Sequence, residues 1–454
     1  MKTETKTYDL VIKGGWVIDP SQSLNGRFDV AISDGKIAAV SPQLPPYNSK
    51  QTLMAQDYLV CPGFIDLHTH VYEWVTPFGL PADDLGIHAG ATTIVDQGSS
   101  SRFTFPNFKS DVVEKAQTDV RCFILLNQAA NTQLDISGSC FESPEKVNRE
   151  ALSQLAAENQ KIIRGFKMFG ESGTISRWGM GVFQLGREVG DRTGLPLYVH
   201  TGELFPVVEA NRPLPEQVVK QIVPYLKAGD VLAHCYSCQP DGLMGTHSQV
   251  SLWLREAIER GIRLDVGHGL LFSIDIARRM MEQGVFPYTV SSDVHGNHAQ
   301  MHDDSTLAYS LCGTLGKLMA LGLDLFSAIA MVTINPARVL GAEDEIGTLR
   351  PMSRADLTLV QLIEGDWLFF DSLGQSLAAK HQLVPIWVIR SGNLIQPHRR
   401  LLRDLKAIPS NETAKLPLGL GAKTSNRNRL NQQSGKSKGV TTRLNHKYSN
   451  RLII

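Results

Sequence analysis

His68 and His70 stand one residue apart at the end of an apolar run, residues 58–67, that Pro62 and Gly63 interrupt. Side chains alternate faces along a β-strand, so on a strand both imidazoles point one way and Thr69 the other. Two imidazoles on one face can reach one metal ion. They can equally be two satisfied polar residues at a strand end, and a lone His-x-His does not decide between these.

Further ligand-type residues occur at comparable places. Lys167 interrupts Gly165-Phe166-Lys167-Met168-Phe169. His200 ends Tyr198-Val199-His200, His234 ends Leu232-Ala233-His234, and Asp293 ends Val290-Ser291-Ser292-Asp293. Each puts an ionisable group where a buried strand is normally apolar. Burying such groups without partners costs several kcal/mol, and metal ions supply partners. An ammonium cannot ligate a cation, so Lys167 is the odd member. Desolvated beside cations its amine is neutral, and a neutral amine can take up CO2 to form a carbamate that bridges two metals. The alternative is an ordinary substrate-binding or snorkelling lysine. Cys235-Tyr236-Ser237-Cys238 has no second CxxC and reads as small core or loop residues rather than a redox or metal pair.

These residues need a scaffold that brings distant strand ends together. Apolar segments at 59–70, 92–97, 121–126, 163–169, 195–201, 230–235, 263–267 and 288–293 read as strands. Helix-like segments such as 143–159, 248–260 and 274–283 lie between them. This alternation predicts an α/β fold, a (β/α)8 TIM barrel over residues 59–344, whose sites form at the C-terminal strand ends. No Gly-rich phosphate loop follows an early strand, which argues against a dinucleotide-binding sheet. Residues 1–58 read as short strands, with a hairpin turn at Asp34-Gly35. Residues 345–400 carry strand-like runs at 355–360 and 384–390, and the two ends are expected to form one small β-sandwich. Residues 409–454 are polar and basic and predict a disordered tail.

A length of 454 residues fits a large barrel plus a smaller domain. Zero formal net charge gives no global field for nucleic acid or an anionic membrane. Six scattered cysteines form no disulfide framework, the polar N-terminus has no signal-peptide core, and no apolar run is long enough to span a bilayer. A cytoplasmic location, a small-molecule substrate and possible homo-oligomers are the expectations.

The constellation resembles the amidohydrolase superfamily in its binuclear, carboxylated-lysine branch, over residues 8–395, including Thr333-Ile334-Asn335-Pro336-Ala337 and Ala355-Asp356-Leu357. The resemblance implies that His68, His70 and Asp293 hold one divalent ion, that His200 and His234 hold a second, and that Lys167 bridges them as N6-carboxylysine. Zinc suits such ligands. It further implies hydroxide shared by the ions attacking a polarised carbonyl, with Asp293 moving the proton to the leaving group. Dihydroorotases of this superfamily usually carry an arginine two residues after the second histidine, and this chain has Tyr72. Asp265-Val266-Gly267-His268-Gly269 and Ser291-Ser292-Asp293-Val294-His295 look more like its deacetylase branch, which acts on N-acyl amino acids or O-acetyl hydroxy acids. Candidate substrate contacts are His268, Tyr72, Arg177 and His295. Cyclic amide hydrolysis, of the dihydroorotase or hydantoinase kind, is the alternative chemistry, and a catalytically silent binding or assembly protein is the alternative class.

Overall fold

The structure is a computed structural model that describes residues 6–126, 143–296 and 309–401. The expected basic tail at 409–454 lies outside the described residues. Strands from both chain ends meet in one sheet. These are β1 (Lys6–Asp19), β2 (Leu24–Ser33), β3 (Lys36–Ser41), β4 (Tyr47–Met54) and β5 (Leu59–Pro62), with β13 (Leu357–Phe370), β14 (Ser376–Arg390) and β15 (Asn393–Ile395) from the other end. The order is β15-β14-β13-β5-β1-β2-β3, with β4 paired to β1, so the strands form one continuous eight-stranded sheet. Asp34 and Gly35 have φ of 51° and 68°, the left-handed pair that a tight Asp-Gly hairpin requires, and they join β2 to β3. β13 and β14 run far beyond the expected 355–360 and 384–390. Their extension lies on helix Leu311–Ala320, where a β-carbon on Gly316 would stand 2.6 Å from the Phe369 ring.

The second sheet is parallel and takes its strands in sequence order. They are β6 (Phe64–Thr69), β7 (Ala91–Ser101), β8 (Asp119–Leu125), β9 (Ile163–Phe169), β10 (Leu197–His200), β11 (Val231–Ala233) and β12 (Arg263–Leu264). Two expectations are corrected here. The single strand over 59–70 is two strands in two sheets, divided at Gly63. Pro62 offers no N–H, Gly63 N donates to Asp356 O at 2.8 Å, and a β-carbon there would meet Thr92 Oγ1 at 2.2 Å. The eighth segment, 288–293, is not a regular strand. Its backbone still bonds both sheet edges: Val266 N to Thr289 O at 3.1 Å and His268 N to Ser291 O at 3.2 Å on one side, Asp293 N to His68 O at 2.8 Å and His70 N to Val294 O at 3.1 Å on the other. Regularity is lost because Ser291 and Ser292 turn their hydroxyls to Asp265 and Asp66, and Asp293 kinks at φ 49°.

The helices expected at 143–159, 248–260 and 274–283 are Arg149–Glu158, Leu252–Glu259 and Ile274–Glu282. The first and third start where Asn148 and Ser273 accept the Ala151 and Ile276 amides. Arg354, just before β13, ties the two sheets together. Its guanidinium reaches Asp119 of β8 at 2.6 Å, Asp356 at 2.7 Å and Glu345 at 2.8 Å. Among the described residues no helix is long and apolar enough to cross a membrane.

Candidate metal centre

The parallel strands deliver the six expected side chains to one place. His68 lies just before the end of β6 at Thr69 and His70 just beyond it, Lys167 lies in β9, and His200 ends β10. His234 follows β11 at φ 61°, and Asp293 sits in the edge-bridging segment. Positive φ at two non-glycine residues is strain that packing must hold, and such strain gathers at functional sites.

His68 Nε2 is 3.2 Å and His70 Nε2 3.3 Å from Asp293 Oδ1, and His234 Nδ1 is 4.0 Å from Oδ2. Lys167 Nζ lies 3.4 Å from His68 Nε2. The His200 and His234 rings are 4.3 Å apart, and those of His68 and His234 are 5.2 Å apart. One ligand atom each from His68, His70 and Asp293 falls within 4.8 Å of the others, a cluster able to hold an ion.

The histidines are held from behind. His68 Nδ1 donates to the Tyr198 hydroxyl at 3.0 Å, and that hydroxyl donates to Asp265 at 2.6 Å. His70 Nδ1 shares a hydrogen bond with Ser99 Oγ at 2.9 Å, while His200 Nε2 donates to Gly202 O at 2.9 Å and His234 Nδ1 to Gly267 O at 2.7 Å. His200 and His234, each donating to a carbonyl, therefore keep their other nitrogen as a lone pair, the form that binds metal. His234 Nε2 is buried with no hydrogen-bond partner, an atom a cation would satisfy. The donor set fits divalent ions.

Electrostatics agree with that fit. Burial pushes His68 and His200 well below the usual histidine range and His234 to about 4, so the imidazoles stay neutral. Burial also lowers Lys167 to about 8, against the pull of Asp293 and Asp265. Burial would raise Asp293, but His68, His295 and His70 together hold it well below the carboxylate range, so it stays ionised.

The four expected substrate contacts lie in different surroundings. His295 is near the centre, with Nδ1 3.6 Å from Asp293 Oδ1. His268 is buried, stacked on Phe272 and Tyr309. Tyr72 turns away, its hydroxyl donating to Thr104 O at 3.1 Å and its ring against Phe108. Arg177 is exposed at the end of helix Ser172–Trp178. Sequence reasoning passed over Tyr198, Ser99, Asp66 and Asp265, which hydrogen-bond the clustered histidines or their neighbours, and Lys317, which donates to His268 Nε2 at 2.7 Å. The available signal was a charge in an apolar segment, as at Lys167.

Residues 273–395 match the model of the amidohydrolase family. A deacetylase of Agrobacterium fabrum is 26% identical over 381 residues, spanning 83% of this chain and 88% of that relative. A deacetylase of Enterococcus faecalis is 26% identical over 396 residues, spanning 85% and 99%. The crystal structure of a dihydroorotase superposes with a TM-score of 0.71 at 26% identity, over 85% of this chain and 98% of that one. With deacetylases similar to it along most of its length and residues 273–395 matching the amidohydrolase family, this chain is a metal-dependent hydrolase.

Proposed function

We propose that the protein is a binuclear deacylase that removes the acyl group from an acylated carboxylate, either an N-acyl amino acid or an O-acetyl hydroxy acid. His68, His70 and Asp293 would hold one ion, His200 and His234 the second, and Lys167 would join them as N6-carboxylysine. Zinc is the metal that best suits these ligands. When bound, such a pair supplies Lewis-acid polarisation of the acyl carbonyl and lowers the pKa of water towards neutrality. The segment 288–294 would act as the eighth strand of a (β/α)8 barrel and carry Asp293 to the strand-end face.

The residues of the chain do the rest. Asp293, kept ionised by its neighbours, accepts a proton at Oδ and passes it to the leaving amine or alkoxide. Tyr198 and Ser99 fix the orientation of His68 and His70. Burial of His68, Lys167 and His234 excludes bulk water, which strengthens each charge interaction.

The observation that carries the proposal is Lys167, a buried amine 3.4 Å from a ligand imidazole and lowered to about 8. A single-ion site would give it no task. The test is metal analysis of protein purified without chelator, with a screen of N-acetyl amino acids, acetylated hydroxy acids, dihydroorotate and hydantoins. About two ions per chain and turnover of the acylated carboxylates are expected; one ion or none removes the binuclear proposal. Cyclic amide hydrolysis is the second reading, favoured by the likeness to a dihydroorotase structure. Tyr72 counts against it, since an aromatic hydroxyl turned onto Thr104 grips no carboxylate.

A further inference from the structure

Asp241 lies in the loop after β11 and is 1% exposed. Both of its oxygens accept hydrogen bonds. Oδ2 takes the Ser172 amide at 2.9 Å and the Ser172 hydroxyl at 2.7 Å, and Oδ1 takes the Glu203 amide at 2.5 Å. A carboxylate is costly to bury unless its oxygens are satisfied in this way. Ser172 begins the helix after β9, and Glu203 stands in the loop after β10. Asp241 thus ties together the three loops that follow the strands of Lys167, His200 and His234.

The Glu203 bond is the one that reaches the metal centre. Glu203 N and Gly202 O belong to a single trans peptide group, so the N–H and the C=O point in opposite directions. Gly202 O takes the His200 Nε2 proton at 2.9 Å. An unbroken line of hydrogen bonds therefore runs from the Asp241 carboxylate through this peptide to the His200 ring. An anion at the N–H end polarises the amide and strengthens its carbonyl as an acceptor. The peptide itself is fixed in place. Gly202 has a φ of 100°, and a β-carbon there would stand 2.8 Å from Ser237 Oγ and 3.3 Å from Gln239. Ser237 N in turn donates to His234 O at 2.9 Å, so the loop that carries Asp241 packs on the peptide and is anchored at the second histidine.

We propose that Asp241 is a positioning residue for His200: acting through the Gly202–Glu203 peptide, it holds the imidazole proton on Nε2, aims Nδ1 at the second ion and makes that nitrogen a stronger donor. This rests on the two-ion reading above, in which His200 is a ligand. Carboxylates behind metal-bound histidines commonly touch the ring directly; here one peptide group stands between them.

The test measures zinc affinity by chelator competition in wild type, Asp241→Asn, Ser172→Ala, His200→Ala and the double variant Asp241→Asn/His200→Ala. Asp241→Asn is expected to weaken one of the two ions by about ten- to a hundredfold and to leave the other nearly unchanged. Ser172→Ala, which removes a different bond to the same carboxylate, should leave both. Once His200 is gone, Asp241→Asn should cost less than about twofold more, because its effect passes through that ring. Unchanged affinities in Asp241→Asn, equal weakening of both ions, or an undiminished further loss in the double variant overturns the proposal. If the wild type binds fewer than two zinc ions, the two-ion reading fails by itself. Nitrogen-15 NMR of the histidine side chains then tests the relay alone, with His200→Ala identifying the resonance. The wild type should show a slowly exchanging proton on His200 Nε2 that Asp241→Asn loses and Ser172→Ala keeps. A wild-type His200 protonated on Nδ1 overturns the proposal without any variant, and a resonance unaltered in Asp241→Asn overturns it equally.

Discussion

Gly269 lies against the carboxylate of Asp293. A β-carbon on Gly269 would stand 2.1 Å from Oδ2 and 2.9 Å from Cγ, and its φ of 42° disfavours any other residue. The tip of the long β13–β14 hairpin secures this glycine, with Ser372 Oγ donating to its carbonyl at 3.2 Å. Gly269→Ala must therefore displace Asp293. The expected result is a fall in kcat of about a hundredfold or more, as when a reacting group is misplaced by about 1 Å, with weaker metal retention. Steady-state kinetics and metal content read it; a variant with normal kcat and full metal would show that Asp293 tolerates the shift.

Lys167 carries the second prediction. Lys167→Ala should lose metal and activity together, and short carboxylic acids should restore part of both by standing in for the carbamate. Only the neutral amine reacts with CO2. With its pKa lowered to about 8, roughly a tenth is neutral at pH 7 and half at pH 8. Metal loading at fixed dissolved CO2 should accelerate from pH 7 to about pH 9 and then level off. Full activity in Lys167→Ala, or loading with no pH dependence, would remove the carbamate from the mechanism.

The six convergent side chains were legible because each is an ionisable group at or near the end of a buried apolar strand, a placement with few structural explanations. Their supports were not. Asp66 accepts the Ser292 amide at 2.9 Å across 226 residues of sequence, a partnership no local pattern encodes. Lys317 sits in a helix, where a lysine ordinarily reads as solvated, and only its apolar neighbours hinted otherwise. The alternation of strand and helix announced the parallel sheet, but not the break at Gly63, which depends on contact with Thr92 of a neighbouring strand. The direction of Tyr72 could not be read either, since it follows from Phe108 and Thr104 on a separate element.

Tyr198 supplies the third prediction. Its hydroxyl accepts from His68 Nδ1 and donates to Asp265, a fully buried carboxylate. Tyr198→Phe removes both bonds while leaving the ring packed beside Phe123. Loss of such a support behind a metal ligand typically weakens metal affinity or activity by about ten- to a hundredfold. Chelator competition measures it; unchanged affinity would mean that His68 is oriented by other means.

Asp119 makes acid sensitivity the last prediction. Burial would raise its pKa, but Arg121 at 3.0 Å and Arg354 at 2.6 Å outweigh burial and bring it to about 2. An unfolded aspartate titrates near 3.9. The folded value is the lower one, so the unfolded chain binds more protons between these pH values, and stability falls as pH falls. The contribution, about 2–3 kcal/mol from roughly two pKa units, is complete above about pH 5, about half gone at pH 3 and absent by about pH 1. Because Arg354 joins β8 to the strand β13 sheet, the loss should loosen the contact between the sheets. Urea unfolding at pH 5 and pH 3 tests it. The wild-type midpoint should drop more between these conditions than that of Asp119→Asn, which carries no titrating carboxyl there; equal drops would place the acid-sensitive charge elsewhere.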